Sequence, residues 1–554
     1  MSNTPRFLPL LLAFCMFSTG ASGLVNEYVL ATITTYILGN SIEQFSIVIA
    51  SMMLMMGVSG FVQSKMSDRY LLQKFISVEV LMALLGGFAP LAIYAAFGYM
   101  NEHFTVVLFF FILSIGFLIG FEIPLVMRII DAQNIKLKTN LTIVYAMDYV
   151  GAFVGAIIWV KFLLINFPLT EISFIVAGFN FLIAAIAILY FLKNRIIQSP
   201  ATILVIIIVT ALVLVAGYIN NREFNNILEQ KFYDDPIVFK TTSKYQHIVI
   251  TENKKNDDTR LYINGNTQFS SLDEIRYHDF LVHPAMSISS SHSKTLVLGG
   301  GDGLALRELN KYKDIQSITL VDLDPEMIKI ASTNSSLVKL NNNAFADAKV
   351  NLTQPDIHNE GFKQVIYQTL DSGVTSEKVA SVSVYNLDAE RFLRNIDDAT
   401  FDVIIIDLPD PSSVELAKLY SQQFYKSLRR HLAPNGFVAI QSTSPFHAKP
   451  AFLSIGATLS ASGFTVLPYR QNVPSFGDWG FYLAWHSDIT PKKVRSQIKA
   501  ISEFDVDTQF ITPELLIASL AFGKGELDAE DVCINTMMEP CLLQAYVRQS
   551  WLIE

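Results

Sequence analysis

Cysteine is nearly absent from this sequence, with three in 554 residues. Three cannot knit a disulfide scaffold. No Cys/His group has metal-ligand spacing, so no metal is expected. Cys15, Cys533 and Cys541 read as buried thiols; a bridge between the last two would need a compartment outside the cytoplasm. Charge is scarce as well. Asp, Glu, Lys and Arg make up 16% of the chain, where globular proteins carry roughly 25%. Apolar residues reach 51%. This balance excludes a disordered chain, a collagen and a long coiled coil. An excess of positive charge is missing too: the net charge is −9, which argues against nucleic acid as a partner. The sequence has no internal repeat and no low-complexity tract.

The scarcity of charge is uneven. Residues 1–220 hold 10 Lys+Arg and 9 Asp+Glu, a net of +1, while residues 221–554 hold 31 and 41, a net of −10. The first part contains seven apolar stretches, at 7–37, 44–64, 74–98, 104–127, 143–165, 170–192 and 201–219. A membrane-crossing helix needs about 20 mostly apolar residues. Residues 1–220 are therefore expected to form an α-helical membrane bundle of about seven spans, with the lipid bilayer as partner. The start, FLPLLLAFCMFSTGASG, is also like a signal peptide, but the apolar run continues through Ile37. Glu27, Glu79, Glu122, Asp148 and Lys161 fall inside the spans, where ionisable groups are costly. One reading is a path for a cationic substrate. The favoured one pairs Asp148 and Lys161 with neighbours and sets Glu79 and Glu122 near the interfaces. No half-helix or inverted-repeat pattern supports a transporter.

Residues 221–271 are expected to form a small β subdomain, with strands at 244–251 and 259–269 joined by ENKKNDD. From 272 to 504, buried-strand patterns (KTLVLGGG, SITLVDLD, VSVYNLD, FDVIIIDLP, GFVAIQST) alternate with amphipathic helical ones. Such alternation predicts a parallel sheet covered by helices, an α/β Rossmann-like domain. A polar insertion at 351–378 interrupts it, and 505–554 reads as a helical tail.

Val297-Leu298-Gly299-Gly300-Gly301-Asp302-Gly303 carries the strongest chemical signal. A strand runs into glycines and a helix begins, which lets a ligand approach the backbone. Asp322 follows Gly301 by 21 residues, at the end of the next strand. An acid there grips ribose hydroxyls. Asp302 inside the turn would repel a diphosphate, so adenosine linked to a sulfonium fits better than a dinucleotide. Asp407 and Asp410 in FDVIIIDLPDP end another buried strand. Two carboxylates there suit an amine or diamine, although Asp410 before Pro411 also fits a helix cap.

In order and spacing these motifs, together with Leu387-Asp388-Ala389, resemble the spermidine synthases, or polyamine aminopropyltransferases. Tyr245-Gln246, YINGNTQFSSLDEIRYHDFLVHPAM and NVPSFGDWGFYLAW extend the resemblance across 244–486, and the seven-span start resembles the membrane-attached bacterial branch. The resemblance implies a methyltransferase-type fold and aminopropyl transfer from decarboxylated S-adenosylmethionine to a diamine such as putrescine. It implies that Gln246, Gly299, Gly301, Asp302, Asp322, Asp388 and Ala389 hold the donor, with Asp322 on the ribose, Asp388 near the adenine and Asp302 near the aminopropyl group. Tyr277, His278, Asp407 and Asp410, with Phe476 and Trp479, would line the amine side, Asp407 as general base assisted by Tyr277. A homodimer is also implied. Two departures stand out: the family's LDG turn reads Ile263-Asn264-Gly265, and DLPDP is followed by SSVELAKLYS in place of a Gly-Pro-containing loop.

Two other readings compete. One is a methyltransferase on the same fold. The other is a polyamine transporter or sensor whose second half only binds. Location in the cell (inner) membrane is expected, but the side is contested. Basic loops at Lys65/Arg69/Lys74, Arg128/Lys136/Lys138 and Lys193/Arg195 should be cytoplasmic, and seven crossings then put the acidic half outside. A donor made in the cytosol favours the inside, which is the side preferred here, and one miscounted or re-entrant segment would reconcile the two. The Asp148/Lys161 stretch is the candidate for a re-entrant segment.

Overall fold

The computed structural model describes residues 8–38, 41–132, 137–193, 200–351, 367–370, 380–396, 400–486, 488–528 and 530–547. The chain forms two compact units, Met1–Ile237 and Val238–Glu554.

The first unit is helical: α1 (Leu8–Leu38), α2 (Ser41–Ser64), α3 (Leu71–Tyr99), α4 (Phe104–Ala132), α5 (Leu137–Ile158), α6 (Leu164–Asn166), α7 (Leu169–Lys193) and α8 (Pro200–Gln230). A π-helical turn, Trp159–Leu163, joins α5 to α6. The result is a continuous apolar helix from Thr142 to Asn166, one of seven among the described residues that are long and apolar enough to cross a membrane. The expected re-entrant segment is thus a full-length helix. Glycine allows close packing. A Cβ on Gly151 would lie 2.0 Å from the Phe17 carbonyl, and one on Gly20 2.1 Å from that of Asp148. Only small residues permit α1 and α5 to touch in this way.

Two ion pairs order the helix ends. Arg128 at the end of α4 bonds Asp68 in the α2–α3 loop at 2.5 Å. Arg222 on α8 bonds Glu171 at the start of α7 at 2.6 Å. The first sets the end of α4 beside the α2–α3 loop, and the second sets α8 beside the start of α7. Glu79 and Glu122 are buried inside the bundle. They lie eight and ten residues from the nearer end of α3 and α4, roughly 12–15 Å at 1.5 Å per residue. Asn180 donates to Glu79 at 2.9 Å and accepts from Ser18 at 3.0 Å. Asn220, where the charge balance shifts, lies within α8, which runs on to Gln230.

The second unit opens with a four-stranded antiparallel sheet, β1 (Ile237–Thr242), β2 (His247–Asn253), β3 (Asp258–Ile263) and β4 (Asn266–Ser270), in the order β1-β2-β3-β4. The sequence stretch read as one strand, 259–269, is a hairpin. Asn264 and Gly265 both take positive φ (51° and 81°), as an Asn-Gly turn of type I′ requires.

Next come α9 (Glu274–Ile288), β5 (Lys294–Gly299), α10 (Leu304–Leu309), β6 (Ser317–Asp322), α11 (Pro325–Thr333), α12 (Ser335–Leu340), β7 (Lys349–Asn351), β8 (Tyr367–Thr369), β9 (Ser381–Asn386), α13 (Ala389–Asn395), β10 (Phe401–Asp407), α14 (Val414–Ala417), α15 (Gln422–Arg430), β11 (Leu432–Gln441), α16 (Lys449–Ala461), β12 (Thr465–Val473), β13 (Gly477–Trp485), α17 (Pro491–Ala500), α18 (Pro513–Ser519) and α19 (Cys541–Val547). Of the 351–378 insertion, 352–366 and 371–378 lie outside the described residues.

The nine strands order as β12-β13-β11-β10-β5-β6-β9-β7-β8. β5, β6, β9, β10 and β11 run parallel, and β13 returns antiparallel beside β11. From β5 the chain builds outward through β6 and β9, then crosses back to β10 and β11. This reversal opens a crevice at the carboxyl ends of β5 and β10, where open α/β sheets bind ligands. The described tail is helical only at α18 and α19. Cys533 and Cys541 form a disulfide, contrary to the expected buried thiols, while Cys15 is free.

Candidate active site

Strand register sets the site. β5 and β10 are parallel neighbours with Asp407 level with Gly299. Both strands end here, so the glycine turn and the Asp407 carboxylate share one rim. Glycine is obligatory at this contact: Gly299 has φ 86°, and a Cβ would lie 1.9 Å from the Asp407 carbonyl. The Asp302 carboxylate accepts from Leu304 N at 2.9 Å. Gly301 N donates to Asp322 at 3.0 Å, and Asp324 N donates to its other oxygen at 2.9 Å. A Cβ on Gly301 would sit 2.6 Å from Asp322 Oδ2.

α9 supplies the opposite wall. Its buried Tyr277 hydroxyl donates to Asp407 Oδ1 at 2.7 Å. His278 Nδ1 meets Glu274 Oε2 at 2.8 Å, and Arg307 bonds both oxygens of Glu274 at 2.7 and 3.0 Å. Phe476 packs 6.3 Å from Tyr277 and 5.0 Å from Trp479, measured between ring centroids. Trp479 Nε1 is buried without a hydrogen-bond partner. Aromatic faces beside carboxylates suit an organic cation.

The remaining sequence candidates lie around this rim. Gln246 sits in the β1–β2 turn, where its N–H donates to Ser243 Oγ at 3.0 Å. Ser243 in turn donates to Asp324 at 2.6 Å, so the turn is fastened beside the Asp322 strand end. Asp388 caps α13 through Arg391 N at 3.0 Å and pairs with Lys418 at 2.8 Å. Its two oxygens are thus engaged, and Ala389 is buried as the first residue of the helix. Asp410 accepts from Gln441 at 3.3 Å and from the Tyr546 hydroxyl at 3.0 Å. Its carboxylate caps none of the helices described.

Burial dominates the electrostatics. It pushes Asp302 and Asp410 up to about 6 and Asp322 up to about 7. His278 opposes the rise at Asp302, and the Tyr546 hydroxyl opposes it at Asp410. Burial would lower His278, but the Glu274 carboxylate outweighs it and holds the imidazole at about 9. A rim with three buried, destabilised acids is arranged to receive positive charge.

Sequence reasoning missed Gln441, Tyr546 and the Glu274–Arg307 brace. Gln441 carried a signal, a polar residue ending the buried strand GFVAIQ beside β10. Tyr546 carried none. A second cluster also escaped: Asp279, His283 and Glu308 each bring a ligand-type atom within 4.8 Å of the others. Glu308 is paired with Arg307 (2.7 Å) and Lys311 (2.5 Å). Asp279 accepts from Phe510 N and Ile511 N at 2.7 and 2.9 Å. These cations and amides balance the acids, and the cluster ties α9 and α10 to the tail.

The chain matches the model of the spermine/spermidine synthase domain over residues 274–365 and 360–496. It is 36% identical to polyamine aminopropyltransferase 2 of Ralstonia nicotianae, covering 98% of both chains. It is 33% identical to the polyamine aminopropyltransferase of Oceanobacillus iheyensis, over 96% of this chain and 95% of that one. A crystal structure of a spermidine synthase with the transition-state analogue AdoDATO aligns with 52% of this chain and 88% of its own, at 22% identity and a TM-score of 0.42.

Proposed function

The chain belongs to the polyamine aminopropyltransferase family, and from that premise we propose how its rim of acids performs the transfer. Decarboxylated S-adenosylmethionine donates an aminopropyl group to a diamine such as putrescine, giving spermidine and methylthioadenosine. The observation that carries this reading is the Tyr277–Asp407 bond of 2.7 Å on the same rim as the Gly299–Gly303 turn.

The donor is a sulfonium with an ammonium tail. Asp322 takes its ribose, Gly301 allows the nucleoside to approach, and Gln246 and the Asp388–Ala389 turn flank it. Asp302 faces the aminopropyl ammonium. The acceptor amine attacks the carbon bonded to sulfur. The C–N bond forms as the C–S bond breaks, and a neutral thioether leaves without needing acid or metal. The amine arrives mostly as ammonium, since its pKa is about 10.4. Asp407, oriented by Tyr277, steers it and accepts its proton as the C–N bond forms, directly or through water. Asp410 and His278, with Phe476 and Trp479, line the acceptor side. Holding both reactants in line supplies much of the remaining rate. Ordinary S-adenosylmethionine carries a carboxylate that Asp302 and Asp407 would repel, which disfavours the methyltransferase alternative.

Purified full-length protein given the decarboxylated donor and a panel of diamines should release methylthioadenosine. Release with none of them would sink the reading. Calorimetry with both donor forms separates it from methyl transfer, because a methyltransferase would prefer the carboxylated one.

The same reading makes the protein a multi-pass component of the cell membrane, with the bilayer around α1–α5, α7 and α8. Loop charge, an odd number of spans and the Cys533–Cys541 bridge favour an extracytoplasmic catalytic unit. Donor supply favours a cytoplasmic one. C-terminal alkaline phosphatase and fluorescent-protein fusions separate the two, each being active on one side only. A homodimer is part of the proposal and is read from the detergent-corrected mass in solution.

A further inference from the structure

The tail reaches the acceptor end of the cleft. Tyr546, on α19, lies 136 residues beyond Asp410 and donates its hydroxyl to Asp410 Oδ2 at 3.0 Å. Several fastenings bring it there. Asn535 is fully buried within the loop closed by Cys533 and Cys541. Its side chain donates to the Ala417 carbonyl at 2.7 Å, and its own carbonyl accepts from Gln422 N at 2.8 Å. Cys533 N and Asn535 N donate to Ser454 and Thr458 of α16 at 3.1 and 2.9 Å. Leu542 is fully buried in the core beneath α19.

The segment gripped by Asn535 is the one that departs from the family pattern, SSVELAKLYS after Asp410. One tail thus braces the acceptor loop and covers the acceptor carboxylate. A phenol on a carboxylate has two consequences. Its O–H favours the charged state and fixes the orientation of the carboxylate. Its ring, partly buried, takes up volume beside that carboxylate.

Resting on the reading of Asp410 as an acceptor-side residue, we propose that the C-terminal tail forms the distal wall of the acceptor site and that Tyr546 sets the length of amine accepted. Tyr546 is a positioning residue. It acts through Asp410 and through the volume it occupies.

The test uses the full chain in detergent at fixed donor concentration, with methylthioadenosine release measured for 1,4-diaminobutane, 1,5-diaminopentane and a linear triamine. Tyr546→Ala should raise the kcat/KM ratio of long to short acceptors by about tenfold or more, since the fit of a single methylene in a pocket is worth 10–200-fold. Tyr546→Phe keeps the ring. It should keep the length preference and raise KM for each acceptor while kcat stays near that of the unaltered chain. Donor binding by calorimetry verifies that each variant is folded. If Tyr546→Ala does not fold, Tyr546→Leu supplies the shortened side chain with its apolar packing retained. An unchanged acceptor ratio in a folded, shortened variant overturns the proposal alone. An unaltered chain inactive with all three amines overturns the aminopropyl-transfer reading, and this proposal with it.

Discussion

In the proposed transfer Asp407 is the central residue: its carboxylate accepts from the Tyr277 hydroxyl and its carbonyl lies against Gly299. Asp407→Asn keeps the shape and removes the base. It should lower kcat by roughly 10²–10⁴, the usual worth of a positioned acid or base, while donor affinity measured by calorimetry changes little. The acids around it give a pH signature. Asp322 rises from an ordinary 3.8 to about 7, and Asp302 and Asp410 rise to about 6. Between these values the folded chain keeps protons that the unfolded chain has released, so the stability owed to these groups falls as pH rises through that window. His278 acts in the same sense over a higher window: its pairing with Glu274 stabilises below an ordinary 6.5 and is lost as pH rises through about 9. A cationic donor needs the acids ionised, so its binding at pH 6 should expel protons, whereas binding at pH 8 should not. Calorimetry in two buffers of different ionisation heat measures this. Equal heats at pH 6 would mean that the acids do not grip the donor.

At the scale of elements, the turn between β5 and α10 does the positioning. Its strand, its glycines and the acid at the end of β6 were all legible in the sequence, because they depend on local backbone needs and a fixed crossover length. Gly301→Ala tests the turn. The added methyl would meet Asp322 Oδ2 at 2.6 Å and push aside the carboxylate proposed to hold the ribose. Donor affinity should fall at least about tenfold, the cost of one misplaced contact of ~1.4 kcal/mol, with the melting temperature nearly unchanged. A variant that binds donor as well as the unaltered chain would contradict the placement of the ribose. The tail element was not legible. Neither Tyr546 nor Asn535 belongs to a motif; the packing of α19 on α16 and the bonds of Asn535 to Ala417 and Thr458 bring the tail to the rim. The β3–β4 hairpin differs from the single strand expected at 259–269 for another reason: Asn264-Gly265 sits within a run of strand-forming residues, and the turn depends on positive φ at both positions.

For the whole molecule, the two units carry separate cores. The buried clusters of the first draw only on residues up to Leu214, and those of the second begin at Ile248. Each core excludes water by itself, so the catalytic fold does not depend on the bundle for its apolar burial. Residues 238–554 expressed alone should therefore fold and retain aminopropyl transfer, with a single cooperative melting transition. A soluble fragment without that transition would show that the bundle contributes to the fold of the catalytic unit.

The sequence by itself determined the seven apolar helices, the α/β alternation and the acids at strand ends, since each follows from local periodicity or composition. Tertiary structure decided what depends on distant segments meeting. The register of β5 on β10 sets Asp407 level with Gly299, the bundle interior encloses Glu79 and Glu122, and the tail returns over 136 residues to touch Asp410. The physical reason is the same in each case. Hydrogen bonding and hydrophobic period act over a few residues, whereas the partner of a buried polar group is fixed only when the chain has closed around it.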